Sequence, residues 1–339
     1  MSRSVRTIAV VLAAALTSAL AASGSVPAAT VAHGLPLRTV ERVPLSGPSV
    51  RFDYTSLDPS TSELWISHMN ASQLLAFDVR TRKIVKTIPA PGVHGVIAVP
   101  SLGRVFASAT DAHQVMTISA KTGAVLARAS AGAYPDGLAY DPVERHVFVS
   151  DETGGVETVV DARGHRIATI PLGGEAGNVQ YDAGSGRVLV DVQTRGDIAI
   201  IDPSSNRVIR RLALQGCASP HGLLVDSSRR LAFVACAANA RLLTVDLRTM
   251  RVTGDDSVGG TPDVLALDAS LHRLYVSAES GIVAVFAEHA RSLTKLGQAM
   301  LAPHAHTVAV DPRTHLVYFP LESGSSGKPQ LLIMAPTAP

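Results

Sequence analysis

The chain has 339 residues, 46% hydrophobic and 17% charged, enough to bury a large core. Its 30 Lys and Arg nearly balance 28 Asp and Glu, and the net charge of +2 excludes a strong general pull toward nucleic acid or an anionic membrane surface. Aromatic residues make up 4%, too few for the stacking platforms that hold sugars or single-stranded nucleic acid.

The first predicted element is an export signal over residues 1–32. Arg3 and Arg6 supply its positive start, Thr7 to Ala22 its apolar run, and Ala19-Leu20-Ala21 and Thr30-Val31-Ala32 two small-residue boxes, which places cleavage between about 21 and 32. The run is short and Ala-rich for a membrane span, and no later segment is long and apolar enough for one. The mature protein is therefore expected outside the cytoplasm, secreted or held in the periplasm or cell envelope.

Residues 33–339 read as one repeat domain. A turn centred on Asp-Pro or a substitute, then a short apolar run ending in a small residue, occurs seven times. Asp58-Pro59 precedes Leu64-Trp65-Ile66-Ser67, Asp141-Pro142 precedes Val147-Phe148-Val149-Ser150, and Asp268 precedes Leu274-Tyr275-Val276-Ser277. The anchors fall at 58, 99, 141, 182, 226, 268 and 311. Each period holds four short apolar runs separated by Gly, Asp, Pro and Ser, which are antiparallel strands. Four strands in about 40 residues make one propeller blade, so the fold class is all-β, a seven-bladed β-propeller. The last repeat stops after its third strand at Gln330–Met334. Leu37–Leu45 resembles a fourth strand, so the N-terminal strand is expected to complete blade seven. Asp78, Asp161, Asp202 and Asp246 end third strands and are expected to cap turns.

The runs Leu274-Tyr275-Val276-Ser277 after Asp268 and Val147-Phe148-Val149-Ser150 after Asp141-Pro142 resemble the YVTN-repeat propellers, which include YncE-like exported bacterial proteins. The resemblance covers nearly all of residues 37–336 and implies the propeller fold and export, while leaving the activity open.

Five residues before each anchor, at the entry to the innermost strand, stand Asp53, His94, Asp136, Gly177, His221, Asp263 and His306. The repeat thereby gathers three Asp and three His around the mouth of the central channel. The loops after the second strands add His68, Asp151 with Glu152, Asp191, Cys236, Glu279 and Glu322 on the same face. One reading is a polar, water-filled mouth whose side chains bond loop backbone. The other is a site. His94, His221 and His306 are its candidate metal ligands, and Asp53, His68, Asp136, Asp151, Asp263 and Glu279 its candidate ligand-binding residues. The metal would be divalent: Mg, Mn, Zn, Cu or Ca. Cys217 and Cys236 lie at one end of an antiparallel pair in blade five, and in an exported chain they are expected to form a disulfide. The alternative joins them to His221 as a soft Cu or Zn site.

The His306 and Glu322 pair resembles the arrangement in streptogramin lyases, seven-bladed enzymes that use Mg²⁺ and a His base. That resemblance implies His306 as base and Glu322 as a metal or substrate contact, although the recurrent Trp-Phe-Thr-Glu strand is absent and Trp65 leads to Ile66-Ser67-His68. Three function classes stay open: a monomeric secreted binder of a small molecule or metal, an enzyme at the same mouth, and a scaffold offering its top-face loops to a protein partner.

Overall fold

The computed structural model describes residues 34–324 and 327–337, and the expected export signal lies outside them. Twenty-eight strands form seven four-stranded antiparallel sheets. Helix is confined, among the described residues, to three single 3-10 turns at Met69–Ala71, Pro100–Leu102 and Thr110–Ala112. Blade 1 takes four consecutive strands, Thr55–Asp58, Glu63–His68, Gln73–Asp78 and Lys83–Pro89, and blades 2 to 6 repeat the plan. Blade 7 uses both ends of the chain. Its strands Ala309–Asp311, Leu316–Leu321 and Gln330–Pro336 are completed by Leu37–Pro44, with Leu37 opposite Pro336 and Val43 opposite Leu331. The ring is closed by a hydrogen-bonded ladder, as the repeat count predicts.

The repeated phrase has a physical meaning at each of its parts. The anchor carboxylates hold the first turn of the blade. Asp58 Oδ1 accepts the Ser60 N–H at 2.8 Å, Asp141 that of Val143 at 2.8 Å, and Asp311 that of Arg313 at 3.0 Å. Asp78, Asp161 and Asp246 cap later turns in the same way. The backbone then turns left-handed at Ser62, Arg145, Arg230, His272 and His315, with φ between 51° and 59°. Two of these side chains also tie neighbouring blades together: Arg230 pairs with Asp182, and His315 Nδ1 lies 2.7 Å from Asp268.

The apolar run that follows is the second strand, buried on both faces, which is why it reads as continuous rather than alternating. Its largest residue, seven past the anchor, is Trp65, Phe106, Phe148, Leu189, Phe233, Tyr275 or Tyr318. Each is wedged between two blades. Trp65 packs with Val93 and Val105 of blade 2, Phe233 with Leu265 and Leu274 of blade 6, and Tyr318 with Phe52 and Leu64 of blade 1. The core is thus seven seams rather than one centre. Each wedge contributes about 2–3 kcal/mol by apolar burial. The fourth strands alternate exposed and half-buried residues, and their Lys and Arg form a solvated outer edge.

Cys217 and Cys236 are bonded to each other, with Cα atoms 5.2 Å apart. The bond takes both sulfurs out of the alternative metal site with His221, and it fits an oxidising compartment.

Candidate functional site at the channel mouth

Five of the seven ring positions sit where the innermost strand steps off its partner, and Asp53 and His306 lie in the loops just before the innermost strands of blades 1 and 7. The register slips between Val93 and Val96, Pro135 and Leu138, Ala176 and Val179, Pro220 and Gly222, and Pro262 and Leu265. His94, Asp136, Gly177, His221 and Asp263 fall within these irregularities. A bulge leaves a residue outside the ladder and re-aims its side chain, here toward the channel. The inner strands also crowd one another. A Cβ on Gly95 would meet the Asp136 carbonyl oxygen at 2.0 Å, and one on Gly222 the Asp263 carbonyl oxygen at 1.9 Å, so glycine is required beside the functional position.

The mouth holds a cavity of about 460 Å³. Asp53, His94, Asp136, His221 and Asp263 line it, joined by Glu152 and Glu279 from the loops after second strands. Tyr54 closes the bottom. Its hydroxyl donates to Asn178 Oδ1 at 2.5 Å, reaching from blade 1 to blade 4. Below this bond lies a smaller space of about 200 Å³, whose wall includes Val96, Leu138, Leu223 and Leu265.

One cluster joins two residues of the wall, Asp53 and Asp263, to His306, which is not among the lining residues. Asp53, Asp263 and His306, 3%, 4% and 1% exposed, bring one donor atom each within 4.8 Å of the others. His306 Nδ1 lies 2.8 Å from the His304 carbonyl oxygen, which can only accept, so Nδ1 carries a hydrogen and Nε2 turns to the carboxylates. His306 Nε2 is 3.8 Å from Asp53 Oδ1, and Nδ1 is 3.6 Å from Glu279 Oε2. His221 Nε2 stands 3.3 Å from Asp263 Oδ1, an ion-pair contact. Arg51 reaches Glu279 at 2.5 Å. His306 Nε2 has no hydrogen-bond partner.

These contacts set the protonation states. Burial alone would lower His221, but Asp263 beside it and the charges of Asp136 and Glu152 push it up to about 10. Burial likewise opposes charge on His306, yet Asp53 and Asp263 bring it to about 9 against Arg51. Asp263 is held below the ordinary carboxylate range in spite of burial, because His221, His306 and Arg51 surround it. Asp136 goes the other way. Burial first, then Asp53 and Glu152, push it well above that range.

The remaining predicted residues are placed differently. His94 is buried, with Nδ1 2.7 Å from the Gly92 carbonyl and Nε2 2.8 Å from the Tyr134 hydroxyl, and is not part of the converging cluster. His68 stacks on Phe52 with ring centres 4.1 Å apart and bonds the Pro48 carbonyl at 3.1 Å, away from the cavity. Asp151 accepts the backbone N–H of Ala133 at 2.8 Å and of Tyr134 at 2.6 Å, so it holds the loop that presents Tyr134. Asp191 is buried with both oxygens unpartnered. Glu322 meets the exposed His304 at 3.3 Å and is not among the cavity's lining residues.

Arg51, Tyr134 and Thr261 also line the cavity, although the ring of innermost-strand entries does not name them. They stand seven residues before their anchors. Met69, Glu152, Gln193 and Glu279 stand eleven after. Both offsets recur with the repeat, so the signal was present in the sequence. Side chains alternate along a strand, so stepping from ten to eleven residues past the anchor moves from His68, Asp151 and Cys236 to the side chains that face the channel.

No family model and no curated protein matches the sequence. Solved propellers do. The chain is similar to Kuenenia stuttgartiensis hydrazine synthase, with a TM-score of 0.70 and 14% identity over 91% of this chain and 98% of that one. It is similar to a streptogramin B lyase structure, with a TM-score of 0.71 and 14% identity over 87% of this chain and 97% of that one. At this identity the likeness is one of fold.

Proposed function

We propose that the channel mouth is a divalent-cation centre beside a small-ligand cavity, with Asp53, Asp263 and His306 as the protein's donors. The observation that carries this reading is the convergence of three buried donors within 4.8 Å. The residues fit such an ion. His306 Nε2 is buried without a hydrogen-bond partner, and a ligating imidazole characteristically donates its other N–H to a carbonyl, as His306 does to His304. One imidazole with two carboxylates suits Mn, Mg or Zn better than Ca, which takes more oxygens. A bound cation would supply Lewis acidity to a polar atom of a ligand in the cavity. Metal analysis of protein purified without chelator, and thermal shifts with Mg, Mn, Zn, Cu and Ca after chelation, test the reading.

An elimination enzyme of the streptogramin-lyase kind would use the same ion but requires His306 as base. An imidazole whose Nδ1–H is held by the His304 carbonyl and whose Nε2 is turned to the ion has no free nitrogen to act as a base, so we place binding ahead of catalysis. The disulfide supports a protein exported to an oxidising compartment, in keeping with the YncE-like resemblance. Among the described residues no helix is long and apolar enough to cross a membrane. The scaffold alternative would use the exposed rim around the same mouth.

A further inference from the structure

The charges of the cavity wall and of His306 next to it are divided unevenly. Arg51 contacts Glu279, His221 contacts Asp263 and His306 contacts Asp53, so the three cations are matched by three carboxylates. Asp136 and Glu152 also line the cavity, and among the described residues neither has a cation within ion-pair distance. Asp136 is 4% exposed and its Oδ1 is unpartnered. Burial and the neighbouring Asp53 hold Asp136 toward its neutral form in the absence of a counter-ion, and a positive group from outside would let both carboxyl groups of this wall ionise.

The surroundings of the two carboxylates are rigid. Gln193 Nε2 donates to Glu152 Oε1 at 2.8 Å and to the Ala176 carbonyl at 2.8 Å, while its own Oε1 accepts from Ser219 Oγ at 3.0 Å. That network orients one carboxylate oxygen of Glu152 and leaves the other for the cavity. Tyr134 is pinned by its hydroxyl bond to His94, and the two rings stand edge to face with centres 5.0 Å apart. An oriented aromatic ring beside two carboxylates is a wall suited to an organic cation, since the ring face and the carboxylates attract the same charge.

We propose that the cavity's ligand carries an alkylammonium or guanidinium group, which seats against Asp136 and Glu152 beside Tyr134. The proposal rests on the reading of the mouth as a ligand site and adds the ligand's chemical class. A small cation of a few carbons fits a space of about 460 Å³ with room for the metal-facing end.

The test is calorimetry on the mature chain in a chelating buffer, with agmatine, cadaverine and choline as cationic probes. Pentanediol is the neutral control and glutarate the anionic one. The expected result is saturable binding of at least one cation and none of the controls. Asp136→Asn and Glu152→Gln should each weaken it about tenfold or more, the loss expected for one charge-assisted contact, while the exposed Glu144→Gln leaves it unchanged. Both cavity variants keep side-chain shape, and unchanged far-ultraviolet dichroism and melting would show that they fold. Binding of glutarate or pentanediol in preference to every cation, abolished by Asp53→Asn, would overturn the cationic class while leaving the ligand site standing. Cation binding indifferent to both variants, or no binding of any cation, overturns the proposal. If, in a parallel titration without chelator, Mg or Mn alone binds and the binding is lost in Asp136→Asn and Glu152→Gln, the wall is a second metal position and the organic-cation class is likewise wrong.

Discussion

His306 Nε2 faces Asp53 Oδ1 at 3.8 Å across the seam where blade 7 meets blade 1. The two residues come from opposite ends of the repeat array, and only ring closure brings them together. The candidate cation centre is therefore an outcome of the fold's closure and depends on that seam more than on the other six.

This dependence separates two core substitutions. Tyr318→Ala opens a cavity in the seam between blades 7 and 1, where Tyr318 packs with Phe52 and Leu64. Phe106→Ala does the same between blades 2 and 3. Each should lower stability by about 3–5 kcal/mol. Only Tyr318→Ala should also weaken divalent-cation binding, because it loosens the seam against which the loops carrying Asp53 and His306 are held. Urea melts with and without cation measure both effects. Equal losses of cation affinity in the two variants would contradict the dependence on closure.

Glu157 gives a pH signature. It is fully buried, accepts from Ser150 Oγ at 2.7 Å through one oxygen, and has no partner on the other. Burial, then the Asp151 charge, push it up to about 8 against the Ser150 bond. The folded protein thus keeps a proton that the unfolded chain releases near the ordinary glutamate value of 4.5. Stability falls as pH rises from there toward about 8, with a slope approaching 1.4 kcal/mol per pH unit for this group. Glu157→Gln should remove that slope and be the more stable form at pH 8. Parallel stability curves for the two proteins over this window would show that Glu157 is not the source.

Asp191 stands where four other blades have Ser. In blade 2, Ser108 Oγ accepts the Gly95 N–H at 2.7 Å and donates to the Asp136 carbonyl at 2.8 Å. Asp191 is fully buried, makes neither bond, and is pushed well above its usual range by burial, with His221 opposing. Asp191→Ser should stabilise the protein by about 1–3 kcal/mol at neutral pH, the cost of an unsatisfied buried polar group. A lower melting temperature for the variant would instead assign the carboxyl a partner.

The Cys217–Cys236 bond closes a short loop within blade 5. Denatured, unreduced protein should show no titratable thiol. Replacing both residues by Ala should cost roughly 3 kcal/mol by the loop-entropy argument. Two free thiols in the purified protein would contradict the assignment.

The repeat made most of the fold legible, because a turn carboxylate, a left-handed residue and a buried wedge recur at fixed offsets and each has its own physical cause. It also placed Asp53, Asp263 and His306 on one rim. Their grouping was not legible. Convergence of these three, with His94 and His68 turned to backbone carbonyls, depends on loop backbone at Asp53 and His306, a bulge at Asp263 and side-chain direction, and a pattern of residue types carries none of these. Arg51 and Gln193 were hidden for a related reason. They obey the same ruler, but Arg and Gln do not announce a metal or a base, and their role appears only in what they touch.

The most direct measurement is the metal content and cation affinity of the native protein beside Asp53→Asn, Asp263→Asn and His306→Gln. Close to one divalent cation per chain is expected in the native protein after loading with Mn, Mg or Zn. The melting temperature should rise on loading, and both effects should be lost in each variant, with folding kept. No cation bound, or full binding retained in all three variants, would contradict the centre at Asp53, Asp263 and His306.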